Sequence, residues 1–215
     1  MERFAPLAGL VFLVLAIASF VIGGEPPSVE DSTAEIVEFW EDEEGSQLAS
    51  AILAAWAAVA LVWFGGSLRE SVVRAEGGPS RLGSIALGGA VLCAAGITMN
   101  ATFQFAAVDV HDDVPPQVLQ TISVLYTDTF FPMAVGTALF LLASGIAAVR
   151  HGAFDKRLGW IGIVIGVLAV TPAGFFAFIA SLAWVGIAAI VLYRQKDPVG
   201  SGAAPPPTAG PTAPA

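Results

Sequence analysis

Residues 159–193 form 35 consecutive positions without Asp, Glu, Lys or Arg, and nothing else in the chain narrows its fold as much. One helix of that length would reach about 52 Å at 1.5 Å per residue, far beyond a hydrocarbon core about 30 Å thick. Thr171-Pro172-Ala173-Gly174 interrupts the run near its middle, where a Pro-Gly turn can reverse the chain. Two short or tilted crossings therefore fit better than one. Uncharged runs at 4–23, 48–68 and 82–108, and another ahead of Arg150, each supply the roughly 20 apolar residues that a crossing helix needs. Charged residues make up only 13% of the chain, against about 25% in soluble domains. The expectation is an all-α membrane protein, a bundle of six transmembrane helices. Its spans fall at about 4–23, 48–68, 82–108, 123–149, 157–171 and 174–193.

Charge sets the orientation. The nine basic residues are Arg3, Arg69, Arg74, Arg81, Arg150, Lys156, Arg157, Arg194 and Lys196. They precede the first span, follow the last, and occupy the second-to-third and fourth-to-fifth connections. By the positive-inside rule those places are cytoplasmic, and both termini with them. The opposite loops hold 13 of the 18 acids and no Lys or Arg. A five-span reading would leave Arg194 and Lys196 on that acidic side, against the rule. No basic face is available for nucleic acid.

The first span can also be read as a signal peptide, because Ala16-Ile17-Ala18 resembles a small-x-small cleavage site. Its apolar run continues to Ile22, which favours an uncleaved anchor. Between the first two spans, Ser32-Thr33-Ala34-Glu35 fits a capping box. Ile36, Val37 and Trp40 share one helical face while acids cover the rest. The expected element is a short amphipathic helix on the outer surface, with Phe39 and Trp40 near the headgroups. Residues 117–127 suit either an interfacial helix or the first turns of span four. From 196 to 215 the chain is a Pro/Ala-rich tail, expected to be disordered and cytoplasmic.

Strongly polar residues inside a membrane are expensive and suggest function by default. Asn100 and Gln104, four apart on span three, lie near its outer end. Asp128 falls about 20 residues before Arg150, at or just beneath the outer interface. The three could line a polar pocket for a cation, proton or small polar ligand. In the competing reading Asp128 opens its helix, favoured by the dipole, and the two amides bond across helices as glue. His111 with Asp109, Asp112 and Asp113 crowds one acidic turn rather than drawing metal ligands from a scaffold. Cys93, the only cysteine, lies inside a span and reads as a small packing residue. Gly162 and Gly166 form a GxxxG that marks a packing face within or between chains.

Three segments carry a family resemblance: residues 34–40 (AEIVEFW), residues 64–77 with Leu68-Arg69 and Arg74-Ala75-Glu76-Gly77, and Leu158-Gly159-Trp160-Ile161-Gly162. Over about residues 1–195 the chain resembles small actinobacterial multi-span membrane proteins known as a domain of unknown function. The resemblance implies a six-helix fold in a bacterial plasma membrane, and it supplies no activity. No catalytic, metal or cofactor motif is recognised, so the expectation is a non-enzymatic structural or accessory component without a cofactor. The alternative is a small transporter or channel using Asn100, Gln104 and Asp128. Expected contacts are membrane lipid and either a protein partner or a second copy of the chain.

Overall fold

Apolar segments of this length satisfy their backbone inside a bilayer only as helices or closed barrels, and here they are helices. The computed structural model describes residues 4–27 and 31–195. A 3-10 turn, Ala5–Leu7, leads into α1 (Ala8–Gly23), followed by α2 (Thr33–Asp42), α3 (Glu44–Glu76) and α4 (Arg81–Val110). The second half holds α5 (Pro116–Asp128), α6 (Phe131–His151), α7 (Lys156–Leu168) and α8 (Gly174–Gln195). Five stretches are long and apolar enough to cross a membrane: Ala5–Gly23, Glu44–Glu76, Arg81–Val110, Pro116–His151 and Gly174–Gln195. The protein is an all-α membrane protein. Where a span was expected at 157–171, α7 has 13 residues, about 20 Å of helix. The tail at 196–215 lies outside the described residues.

Neighbours in sequence are neighbours in space. α1 packs on α3, α3 on α4, α4 on α6 and α6 on α7, while α8 closes back onto α1. Glycine makes the tightest of these contacts. A Cβ built on Gly89 would lie 2.8 Å from the Cα of Phe140, and one on Gly136 would lie 2.6 Å from the Cα of Cys93. The backbones of α4 and α6 therefore meet with no room for a methyl group, as small residues permit in membranes. Both glycines of the GxxxG are used within the chain. Gly162 lies under the Trp184 indole, and Gly166 faces Leu142 and the Ala138 carbonyl.

Aromatic side chains fill the space between these contacts. Trp184 meets Phe140 and Phe154 edge-on at centroid distances of 5.9 and 5.8 Å, and Phe140 in turn meets Phe64 at 6.2 Å. The buried indole N–H of Trp184 donates to the Leu158 carbonyl at 2.8 Å, which satisfies its one polar atom. α1 and α8 run antiparallel: Phe4 stacks on Tyr193 at one end, and Phe20 tilts against Phe175 at the other.

Two details depart from expectation. Asp128 is the last residue of α5 rather than the first of a span, and Thr129-Phe130 separates it from α6. Pro132 sits in the first turn of α6, where its missing N–H costs nothing. The helix dipole therefore does not favour the Asp128 carboxylate, which stands at a C-terminal end.

The second departure is Trp40. Ser32 caps α2 in a full capping box: its N–H donates to Glu35 Oε2 at 2.8 Å and its hydroxyl accepts from Glu35 N–H. The Ser32 backbone N–H foremost, and the Ser32 side chain after it, hold the Glu35 carboxyl below its usual range. The amphipathic face of α2 then turns onto protein, not headgroups. Ile36 and Trp40 pack with Ala107, Val108 and Leu119 in a small second core, and the Trp40 indole N–H donates to Ser123 Oγ at 2.7 Å. Phe39 is partly buried against the same cluster. α2 and α5 thus lock together as a lid on the C-terminal end of α4. Trp40→Phe should lower stability by about 1 kcal/mol through the lost bond. Hydrogen exchange would show faster amide exchange in α2 and α5 with the rest of the bundle unchanged.

Candidate functional site

Polar groups converge where the C-terminal ends of α1 and α4 meet the N-terminal end of α3. α3 starts at Glu44, so Gln47 and Ser50, three apart on one face, enter the bundle instead of the solvent. The Ser50 hydroxyl donates to the Ser19 carbonyl at 2.9 Å, while the Ser19 hydroxyl lies 3.0 Å from the Ser50 carbonyl. Gln47 Nε2 donates to the Gly23 carbonyl at 2.6 Å, one of the orphan acceptors at the end of α1. Gln104 Nε2 donates to Gln47 Oε1, also at 2.6 Å. Both glutamines are fully buried. Gly23 is needed here because a Cβ would lie 2.7 Å from Ser50 Oγ.

Asn100 is four residues from Gln104 but serves a different neighbour. Its Nδ2 donates to the Tyr126 carbonyl at 2.6 Å. It acts as a tertiary cap on the C-terminal turn of α5, where carbonyls lack intrahelical partners. The Thr129 hydroxyl supplies a second cap there by donating to the Leu125 carbonyl. Asp128 is exposed and makes no hydrogen bond or ion pair among the described residues. The structure thus joins Gln104 to Gln47 and Asn100 to α5, and leaves Asp128 outside both groups.

The remaining ionisable candidates are apart from this layer. His111 Nδ1 lies 2.7 Å from the Val108 carbonyl, and Nε2 is 3.5 Å from a largely exposed Asp112 carboxylate. Among the described residues no group of three or more His, Cys, Asp and Glu could hold a metal ion. Cys93 is buried at the α4–α6 contact, with Sγ 3.4 Å from the Thr137 hydroxyl. At the opposite end of the bundle His151 Nε2 is 4.0 Å from Glu76 Oε1, a buried atom that has no hydrogen-bond partner.

Comparison with known proteins adds no precedent. No family model, curated protein or solved structure matches this chain. The arrangement therefore has to be interpreted from its own geometry. Every amide in the layer is directed at another helix or helix end. Hydrogen bonds of this kind fix register between membrane helices and contribute about 0.6 kcal/mol each on average, up to about 1.7.

Sequence reasoning missed Gln47, Ser50 and Ser19. Gln47 stands one residue before the apolar run at 48–68 and so reads as outside the membrane. The available signal was spacing: Gln47 and Ser50 lie on one face at the same outer level as Gln104. The partner of Asn100 is a backbone carbonyl, which no side-chain pattern reveals.

Proposed function

We propose that the protein is a non-enzymatic accessory component of a bacterial plasma membrane, acting through its contacts with lipid and other proteins. The observation that carries this reading is the use of the strongly polar groups at membrane depth. Gln47, Gln104 and Asn100 are spent on holding helix ends together, which leaves little chemistry for a reaction or a permeation path. We take this setting from the resemblance of residues 34–40, 64–77 and 158–162 to small actinobacterial membrane proteins. We take the chain to cross six times, with α7 and the turn after it forming a short fifth crossing. The antiparallel contact of α1 and α8 supports that count, because it brings Phe4 and Tyr193 to one side. Basic residues then lie at the cytoplasmic ends and α2 with α5 forms an acidic outer lid.

The test is flux across liposomes. Protein reconstituted with a potassium gradient and an internal pH indicator should discharge neither gradient faster than empty liposomes. Asp128→Asn should behave like wild type. A protein-dependent flux that Asp128→Asn abolishes would replace this reading with a transporter or channel.

A further inference from the structure

The end of the bundle where α6 turns into α7 combines unpaired positive charge with an apolar lane. Gly159 lies against Ala148 and Val149, so the last turn of α6 and the first turn of α7 stand side by side. That contact brings Arg150, Lys156 and Arg157 to one corner, all exposed. The carboxylate between them is occupied: Asp155 Oδ1 accepts from the backbone N–H groups of Arg157 and Leu158 at 2.9 and 3.0 Å. Glu76, another carboxylate near this end, faces His151. No carboxylate among the described residues lies within ion-pair distance of the three cations.

Below the charges α7 is apolar and open. Trp160, Ile161 and Val164 are each more than half exposed, and Leu168 continues their row. Ile161 follows Arg157 by four residues, Val164 by seven and Leu168 by eleven, so all lie on one side of the helix. Eleven residues rise about 17 Å, close to one leaflet's share of a hydrocarbon core about 30 Å thick. A positively charged head above a one-leaflet apolar lane matches a phospholipid, not a soluble anion.

We propose that the α6–α7 corner docks a phospholipid with an anionic headgroup. Arg150, Lys156 and Arg157 hold the headgroup, and one acyl chain lies along Ile161, Val164 and Leu168. Charge complementarity selects this occupant. An anionic lipid offers a net negative charge at headgroup depth, whereas a zwitterionic lipid sets a cation beside its phosphate. Each Lys or Arg there adds about fivefold to the attraction. The site needs only that α7 lies in a bilayer, so it stands or falls apart from the accessory role.

Native mass spectrometry of protein released from nanodiscs of equal parts phosphatidylglycerol and phosphatidylcholine provides the test. Wild type should retain phosphatidylglycerol over phosphatidylcholine by about a hundredfold, three cations at about fivefold each. Lys156→Gln/Arg157→Gln should reduce the preference to about the fivefold that Arg150 alone supplies. Arg74→Gln/Arg81→Gln, which removes the same charge at the α3–α4 turn, should keep the preference. Equal retention by wild type, or equal loss in both double variants, would overturn the site. The first leaves no selectivity and the second leaves only diffuse surface charge. A second measurement uses protein without charge changes. Brominated phosphatidylglycerol in phosphatidylcholine vesicles should quench tryptophan fluorescence more than brominated phosphatidylcholine does, and Trp160→Phe should remove the difference. A difference that survives Trp160→Phe would place the lipid elsewhere and reject the α7 lane.

Discussion

Gly136→Ala is expected to cost about 2 kcal/mol net and to open the α4–α6 contact, although alanine is the better helix former. Two effects of opposite sign compete at this position. In a helix interior the exchange of glycine for alanine gains roughly 1 kcal/mol of intrinsic preference. Against it stands a methyl group placed 2.6 Å from the Cα of Cys93 and 2.8 Å from the Leu92 carbonyl carbon. Those are backbone atoms of another helix, so no side chain can rotate away and the helices must separate. Overpacking of this kind costs about 1–3 kcal/mol and sometimes more, and the parting also loosens the buried Cys93–Thr137 contact. Steric cost therefore wins. Cys93 is the only cysteine and is buried at this contact, so its labelling rate by a thiol reagent in mild detergent reports the opening. A net loss of about 2 kcal/mol should speed labelling about thirtyfold. Gly88→Ala is the control, because its Cβ would meet nothing within 4 Å. It should label like wild type. If Gly136→Ala also labels like wild type, α4 and α6 are not held by direct backbone contact.

The crossing helices were legible because the physics that makes them is local. A run of about 20 apolar residues without charge has few places to go other than a bilayer, and 48–68 and 82–108 fall within α3 and α4. Helix ends were less legible. α3 continues to Glu76, beyond its apolar run, since the mostly polar residues 69–76 still suit a helix. The break at Thr129-Phe130 depends on caps from Asn100 and Thr129 and on Pro132, and of these only the proline is a sequence signal. Trp40 shows the same limit more plainly. An aromatic residue on an amphipathic outer helix has the pattern of an interfacial anchor, but Ala107, Val108 and Leu119 bury it and Ser123, 83 positions away, accepts its N–H. Of the candidate site, the amides of span three could be singled out by type and depth. Their division between Gln47 and Tyr126 is a property of tertiary placement.

Gln47→Leu and Gln104→Leu should each destabilise the bundle by about 1–3 kcal/mol, and together by less than the sum of the two. Leucine nearly conserves volume, so packing is a minor part of the change. The cost lies in what remains. Gln47→Leu leaves the Gln104 amide buried without its acceptor and the Gly23 carbonyl without its donor. Gln104→Leu leaves Gln47 Oε1 without a donor. A buried polar group that loses its partner costs about 1–3 kcal/mol, whereas removing both partners can be nearly neutral. In the double variant the mutual bond and both of its polar ends disappear, and only the Gly23 carbonyl stays unpaired. A double-mutant cycle on thermal unfolding in detergent should therefore give a coupling of about 1 kcal/mol, inside the range for membrane hydrogen bonds. The coupling also discriminates between glue and pocket. Amides that hold helices together must be energetically coupled in the resting protein. Amides kept for a ligand would instead give a coupling near zero without it, and the outer layer would then have to be reconsidered as a binding site.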